Sequence, residues 1–368
     1  MKKILIIVSI ALVVLFLFLV VITRTQSPIN KATEELASCY SKNDVKTVFD
    51  KYKQDLITTN ENLEKVIDQD FLQKIREKLN SFNLSEEEIA ECKQWLPSAP
   101  TSLNLIIVPD LSRRIIDEVN NPDQIKNDTV LLNYIWKAFE TYTIQNVNTK
   151  PRLTVDVTDE GQASGRFRML ADDLVFELPE HSTPHLRNMW FETVGNRYAT
   201  NIKELYDLGK NHPLGGDYWN YFRRNLSKHI QKSTLFENYR NILIIITDGY
   251  LEAEDKLYTG DWKTRNDIAN RVKQGKPIEE TTLNKIRIPF AQKFPTLEVL
   301  IIEVNERKQF SLQEPKDKGT TEDYDILMVL WRDWFKQMQI KNVDDNFFIH
   351  RNDAIQLTKN EIDKFLNK

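Results

Sequence analysis

The spacing of apolar positions changes three times along this chain, and each change marks a boundary. From Ile4 to Ile22 the residues are apolar with only Ser9 interrupting. As a helix this stretch would run about 28 Å, close to the hydrocarbon thickness of a bilayer. From Ser27 to about Leu96 the chain is polar, charged and free of glycine, with apolar residues at helical spacing: Val45, Val48, Phe49, Tyr52 and Leu56, then Leu63, Val66, Ile67, Phe71, Ile75 and Leu79. That rhythm predicts amphipathic helices. Ser85 before Glu86, Glu87 and Glu88 reads as an N-cap with an acidic first turn. Pro97-Ser98-Ala99-Pro100 closes the region.

Beyond it, apolar runs alternate with helical patterns. Leu103–Pro109 predicts a strand, and Val130, Leu131, Tyr134, Ile135, Ala138 and Phe139 predict one face of a long helix. Arg152–Thr158 and Leu174–Leu178 read as strands on either side of a Gly-containing turn at 160–165, which makes them antiparallel neighbours. A helix over 184–210, a loop from His212 to Trp219, a strand ending at Asp248, a helix at 264–274, a strand over Leu297–Glu303, a helix at 323–338, a strand at Asn346–Ile349 and a terminal helix complete the order. Strands separated by helices imply an α/β fold with a doubly wound, mostly parallel sheet and one antiparallel edge strand. The organisation expected is a transmembrane anchor over 1–24, a helical stalk over 25–97, and the α/β domain over 98–368.

Two of the apolar runs end in a carboxylate: Leu103–Pro109 in Asp110, and Asn241–Thr247 in Asp248. Open α/β sheets place their ligands beyond the carboxyl ends of the strands. The rim holding Asp110, Ser112 and Asp248 is therefore where function is expected.

Charge excludes one class of partner. Among 368 residues, 50 Lys and Arg face 54 Asp and Glu, for a net charge of −4, which gives no basic footprint for nucleic acid. Ten glycines leave little material for phosphate-binding loops or repeats. Thr23-Arg24-Thr25-Gln26-Ser27 lacks a small-residue cleavage site, so the first segment reads as an uncleaved anchor. Lys2 and Lys3 before it favour a cytoplasmic N-terminus and a single-pass protein with its main domain outside the cytoplasm. In an oxidising compartment Cys39 and Cys92 are candidate disulfide partners; spacing alone leaves that bridge and two buried thiols equally open.

The element order and the motifs Asp110-x-Ser112, Gly215-Gly216 and Thr247-Asp248-Gly249 resemble a von Willebrand factor A domain over residues 101 to 368. In that family an Asp-x-Ser-x-Ser motif, a loop Thr and the Asp of Thr-Asp-Gly form a metal-ion-dependent adhesion site. The resemblance implies Asp110, Ser112, Asp217 and Asp248 as ligands of Mg²⁺ or Mn²⁺, oxygen donors of the kind a hard cation needs. Two positions depart from the pattern: Arg114 stands where the family has Ser, and Asp217 where it has Thr. Two readings follow. Either the four oxygen ligands still hold a cation and Arg114 turns away, or Arg114 pairs with Asp217 or Asp248 and supplies the charge itself. The second, metal-free reading is favoured, because the two replacements carry opposite charge.

The remaining candidates have plainer explanations. His181 and His185 flank Pro184 with no adjacent Glu, unlike a helical zinc motif. Trp331, Trp334 and Phe335 sit at helical spacing and predict a face packed on the sheet. Arg114, Tyr218 and Trp219 lie on loops of the expected rim and are candidates for contact with a protein partner. No Ser-His-Asp, Cys-His or dinucleotide signature points to catalysis or a small-molecule substrate. The chain therefore reads as a membrane-anchored protein-binding module of the cell envelope, with a metal-dependent hydrolase or a structural assembly subunit as alternatives.

Overall fold

The computed structural model describes residues 27–368 apart from 60–64, 159–164, 179–182, 215, 235, 254–255, 258–260, 290–291, 308–322 and 352–353. The expected anchor, the 160–165 turn except Gly165, His181 and Gly215 lie outside the described residues. Among the described residues no helix is long and apolar enough to cross a membrane. The chain divides into two compact units, Met1–Pro100 with Ser233–Asn238, and Thr101–Lys232 with Tyr239–Lys368.

In the first unit, α1 (Pro28–Ala37) and α2 (Lys42–Tyr52) precede an antiparallel pair, β1 (Ile57–Thr59) and β2 (Lys65–Ile67), followed by α3 (Gln69–Asn80) and α4 (Glu86–Trp95). Ser41 and Ser85 start α2 and α4 with reciprocal capping boxes, each closing two backbone donors that the first turn leaves open. Of the periodic residues read from the sequence, Val45, Phe49, Phe71, Ile75 and Leu79 are buried with Leu36 and Cys92. Val66 and Ile67 instead lie on strand β2 rather than a helix and are only partly buried, and Leu63 lies outside the described residues. Arg76 is buried as well, and its guanidinium donates to Pro97 O at 3.0 Å and Ser98 O at 3.1 Å, which pins the proline punctuation. Cys39 and Cys92 are free, buried thiols in this core.

The second unit runs β3 (Thr101–Pro109), a 3₁₀ turn (Arg113–Ile116), α5 (Gln124–Gln145), β4 (Arg152–Val155), α6 (Arg166–Asp173), β5 (Val175–Glu177) and α7 (Pro184–Asn211). There follow α8 (Tyr218–Asn220), a π turn (Tyr221–Asn225), α9 (Leu226–His229), β6 (Asn238–Ile246) and a small pair, β7 (Glu252–Ala253) with β8 (Lys256–Leu257). The chain ends with α10 (Trp262–Lys273), α11 (Glu280–Ile286), β9 (Leu297–Val304), α12 (Asp323–Gln337), β10 (Phe348–His350) and α13 (Ile355–Leu366). Six strands form one mixed sheet in the order β10-β9-β6-β3-β4-β5, mostly parallel. The edge pair β4–β5 is antiparallel, with Leu153 opposite Phe176, as expected. The short helix α6, absent from the sequence reading, lies between these two strands.

Alternate residues of each strand enter opposite apolar layers. Leu105, Ile107, Val155, Ile244 and Ile246 pack with Trp136 and Phe139 of α5, Tyr198 and Leu205 of α7, and Ile362 of α13. Ile106, Val108, Leu243, Ile245, Val299 and Ile301 pack with Tyr218, Phe222, Ile268, and the Trp331, Trp334 and Phe335 stripe of α12. That stripe is core, as its spacing predicts.

From β3 the chain moves outward to β4 and β5, then returns to β6 and continues the other way through β9 and β10. The order reverses between β3 and β6, which makes their carboxyl ends the topological switch point. Gly249, just past β6, has φ +92°, and a Cβ there would lie 3.1 Å from Val304 Cγ1 and 3.2 Å from Phe348 Cζ. Gly249→Ala is expected to cost about 2–3 kcal/mol from left-handed strain plus crowding. Chemical denaturation measures it, and a loss under about 1 kcal/mol would mean the turn relaxes freely.

Candidate functional site at the strand-end rim

Asp110 follows β3 directly, and its backbone N–H donates to Ile246 O at 2.9 Å, locking the two strand ends together. Its carboxylate is buried and engaged on both oxygens. Oδ1 accepts from Ser112 N–H at 2.9 Å, and Oδ2 accepts from Thr247 Oγ1 at 2.8 Å. Ser112 thus supplies a backbone donor, while its own hydroxyl caps the 3₁₀ turn through Arg114 N–H. The 3₁₀ turn carries Arg114 inward rather than outward.

Arg114 takes neither of the acidic partners expected from the sequence. Nη2 donates to Asp128 Oδ2 at 2.7 Å and to Ile246 O at 2.8 Å. Nε stands 3.5 Å from Asp110 Oδ2, an ion pair beyond hydrogen-bond length. Burial opposes its charge, but Asp128 and Asp110 outweigh burial and raise its pKa. Asp128, one turn into α5, is held by three donors: Arg114, Gln124 Nε2 at 2.6 Å on Oδ1, and Tyr206 OH at 3.0 Å on Oδ2. Burial raises the Asp128 carboxyl, and Arg114, Gln124 and Tyr206 hold it back.

Asp248 leaves β6 on the same rim. Its Oδ2 accepts from Arg307 Nε at 3.1 Å, and Oδ1 accepts from Tyr250 N–H at 3.3 Å. Burial pushes its pKa to about 6, with Arg307 pulling down and Asp110 pushing up. The Arg307 guanidinium lies 4.3 Å from the centre of the Tyr250 ring, a second hold on its position.

The loop with Gly216 does reach Asp110: a Cβ on Gly216 would sit 3.5 Å from Asp110 Oδ1. Asp217 does not turn its carboxylate there. Its Oδ1 accepts from Asn220 N–H at 3.0 Å and its Oδ2 from Asn220 Nδ2 at 2.5 Å, so it is the N-cap of α8. Asp110, Ser112 and Asp248 are therefore gathered at the switch point, while Asp217 is spent on a cap. Among the described residues no group of three His, Cys, Asp or Glu is arranged to hold a metal ion.

The three residues expected to touch a partner lie deeper than the sequence suggests. Arg114 is 3% exposed because its charge is neutralised inside, and Tyr218 is 1% exposed because it packs edge-on against Trp331. Trp219 is half-buried and donates its indole N–H to Pro289 O at 2.9 Å. Exposed apolar groups on this rim are instead Ile116, the last residue of the 3₁₀ turn, and Val119, in the stretch joining that turn to α5. Asp128, Gln124, Tyr206, Glu303, Arg307 and Arg351 are the members of the network that the sequence reading did not single out.

No family model and no curated protein matches this chain. Among solved structures it is similar to the pilus adhesin SpaC from Lactobacillus rhamnosus GG, in an open conformation. The identity is 12% and the TM-score 0.31, with 73% of this chain and 30% of that chain covered. This chain spans under a third of that adhesin, and so slight a likeness carries no argument about function.

Proposed function

We propose that this chain is a membrane-anchored recognition module on the von Willebrand factor A plan, which binds a protein partner through its strand-end rim without a divalent cation. The observation that carries this reading is the Arg114 guanidinium, buried between Asp110 and Asp128. A doubly charged ion at Asp110 would sit against that fixed positive charge in a site closed to water. All six carboxylate oxygens of Asp110, Asp217 and Asp248 already have protein donors. Removal of metal from the rim leaves the partner contact to its surface, where Ile116 and Val119 are 43% and 50% exposed. Exposed apolar groups on a polar rim suit a protein contact. In this reading Arg114 and Tyr218 support the surface from below, Trp219 flanks it, and Ile4–Ile22 holds the module in the membrane with its main part extracytoplasmic.

Calorimetry with Mg²⁺ or Mn²⁺ tests the metal-free claim. The unaltered protein is expected to show no binding heat, and Arg114→Ser to gain measurable affinity. Tight cation binding by the unaltered chain would overturn it. For the partner claim, capture from membranes of the source cell should lose its specific band with an Ile116→Asp, Val119→Asp double variant. Capture indifferent to those changes would remove the rim as the binding surface.

A further inference from the structure

β9 spends one residue more than β10 where the two leave the sheet. Phe348 pairs with Ile301 and His350 with Val304, so three steps along β9 match two along β10. Glu303 takes up the excess with φ +67°, in the left-handed region. Bulges of this kind re-aim a side chain. Under strict alternation Glu303 would share the apolar face of Val299 and Ile301; its carboxylate instead meets α5. It is buried, and its Oε2 accepts a long hydrogen bond from Gln124 Nε2 at 3.4 Å.

The charged groups facing Glu303 come from three elements. Asp128 of α5 is a like charge, with Tyr206 of α7 behind it. Arg114 of the 3₁₀ turn and Arg351 beyond β10 are the cations. Arg351 Nε is 3.7 Å from Glu303 Oε2, too far for a hydrogen bond, because the guanidinium is committed elsewhere. Nη1 donates to Gln124 Oε1 at 2.8 Å and Nη2 to Pro122 O. Arg351 thereby holds the rim loop that ends at Gln124. Two residues past Glu303, Asn305 Nδ2 donates to Asn120 O at 2.6 Å and to Asn121 Oδ1 at 3.2 Å, tying the same loop to the same strand end.

We propose that Glu303 is a proton-operated catch on the rim loop 117–124. Protonated, it leaves Arg351 bonded to Gln124 and Pro122, and the loop stays closed on the sheet. When the carboxyl gives its proton to bulk water, two anions, Glu303 and Asp128, share one enclosure. Arg351 is the cation placed to answer them, and closing the 3.7 Å gap takes it from the loop. Burial first, and then Asp128, push the Glu303 pKa to about 7 against Arg351, Arg114 and Gln124. The catch therefore works around neutrality. It concerns the loop's own mobility, so it stands or falls apart from any partner at the rim.

Hydrogen exchange of the full chain at pH 6 and pH 8, corrected for the intrinsic rate, reads the catch. Peptides covering 117–124 are expected to lose several-fold protection at pH 8 while β3 and β6 do not. Glu303→Gln, which cannot ionise, should keep the loop protected at both values. Equal loop protection at both values in the unaltered chain overturns the proposal, and so does the same loss in Glu303→Gln. Infrared difference spectra of ¹³C-glutamate-labelled unaltered protein between pH 5 and 8 serve if that variant does not fold. An isotope-shifted band of a buried protonated carboxyl, lost near neutrality, is expected; absence of such a band overturns the proposal.

Discussion

Arg114→Met should destabilise the α/β unit by about 3–5 kcal/mol, the range for breaking a buried ion pair from one side. In a unit of this size that is a fall of about 10 °C in Tm. The size follows from what the substitution leaves behind rather than from what it removes. Asp128 loses the donor at 2.7 Å, Ile246 O loses the donor at 2.8 Å, and Asp110 loses its nearest cation. None of these groups can turn to water, because Asp110 and Asp128 are 3% and 0% exposed. An uncompensated buried anion is expensive, whereas a neutral amide of the same shape is much less so. Asp128→Asn on top of Arg114→Met should therefore recover part of the loss, a coupling that a double-mutant cycle reads directly. If Arg114→Met unfolds within about 1 kcal/mol of the parent, the guanidinium is not what holds the rim together.

What could be read from the sequence divides along a physical line. Asp110 and Asp248 were legible because each ends an apolar run, and a run buried on both faces fixes where its strand stops. The same signal stood at Leu297–Glu303, yet nothing local tells that Glu303 turns towards α5. Its direction comes from a bulge set by pairing with β10, a segment some forty residues further on. Asp128 left a fainter trace. Positions 128, 131, 132 and 135 share one helical face, and a lone carboxylate among Leu131, Leu132 and Ile135 requires a buried partner. Arg114, one of two adjacent arginines after an apolar strand, is the matching half. Asp217 was misleading because its Gly-Gly neighbours suggested a ligand loop, while its position before a short helix is that of an ordinary N-cap. Helix α6 carries helical spacing in Phe167, Leu170 and Ala171, but a stretch of eight residues between two strands is too short for periodicity to separate a helix from a turn.

Arg187→Met is expected to cost about as much as the loss of Arg114, through the backbone carbonyls that its guanidinium closes. The end of α5 and the loop beyond it gather several carbonyls at one place, of which Asn146 O also accepts the Thr149 N–H at 3.1 Å. Arg187, buried on α7, closes four of them. Nη1 donates to Thr143 O at 2.5 Å and Asn146 O at 3.0 Å, and Nη2 to Val147 O at 2.6 Å and Thr149 O at 2.8 Å. A planar fork with fixed donor directions suits four acceptors that do not lie along one line. Methionine fills much of the volume but donates nothing. At about 1–3 kcal/mol for each acceptor left dry, and with water reaching some of them, a total near 4 kcal/mol is expected. Lysine offers one ammonium on a flexible stem and should recover about half of that. The damage should also be local. The affected carbonyls belong to the connection that leads into β4, so hydrogen exchange should rise at the end of α5 and along β4 before it rises in β6 and β9. Uniform loss of protection across the sheet would show that Arg187 stabilises the unit as a whole rather than that one connection. Wild-type protection in Arg187→Met would show that the carbonyls find other donors.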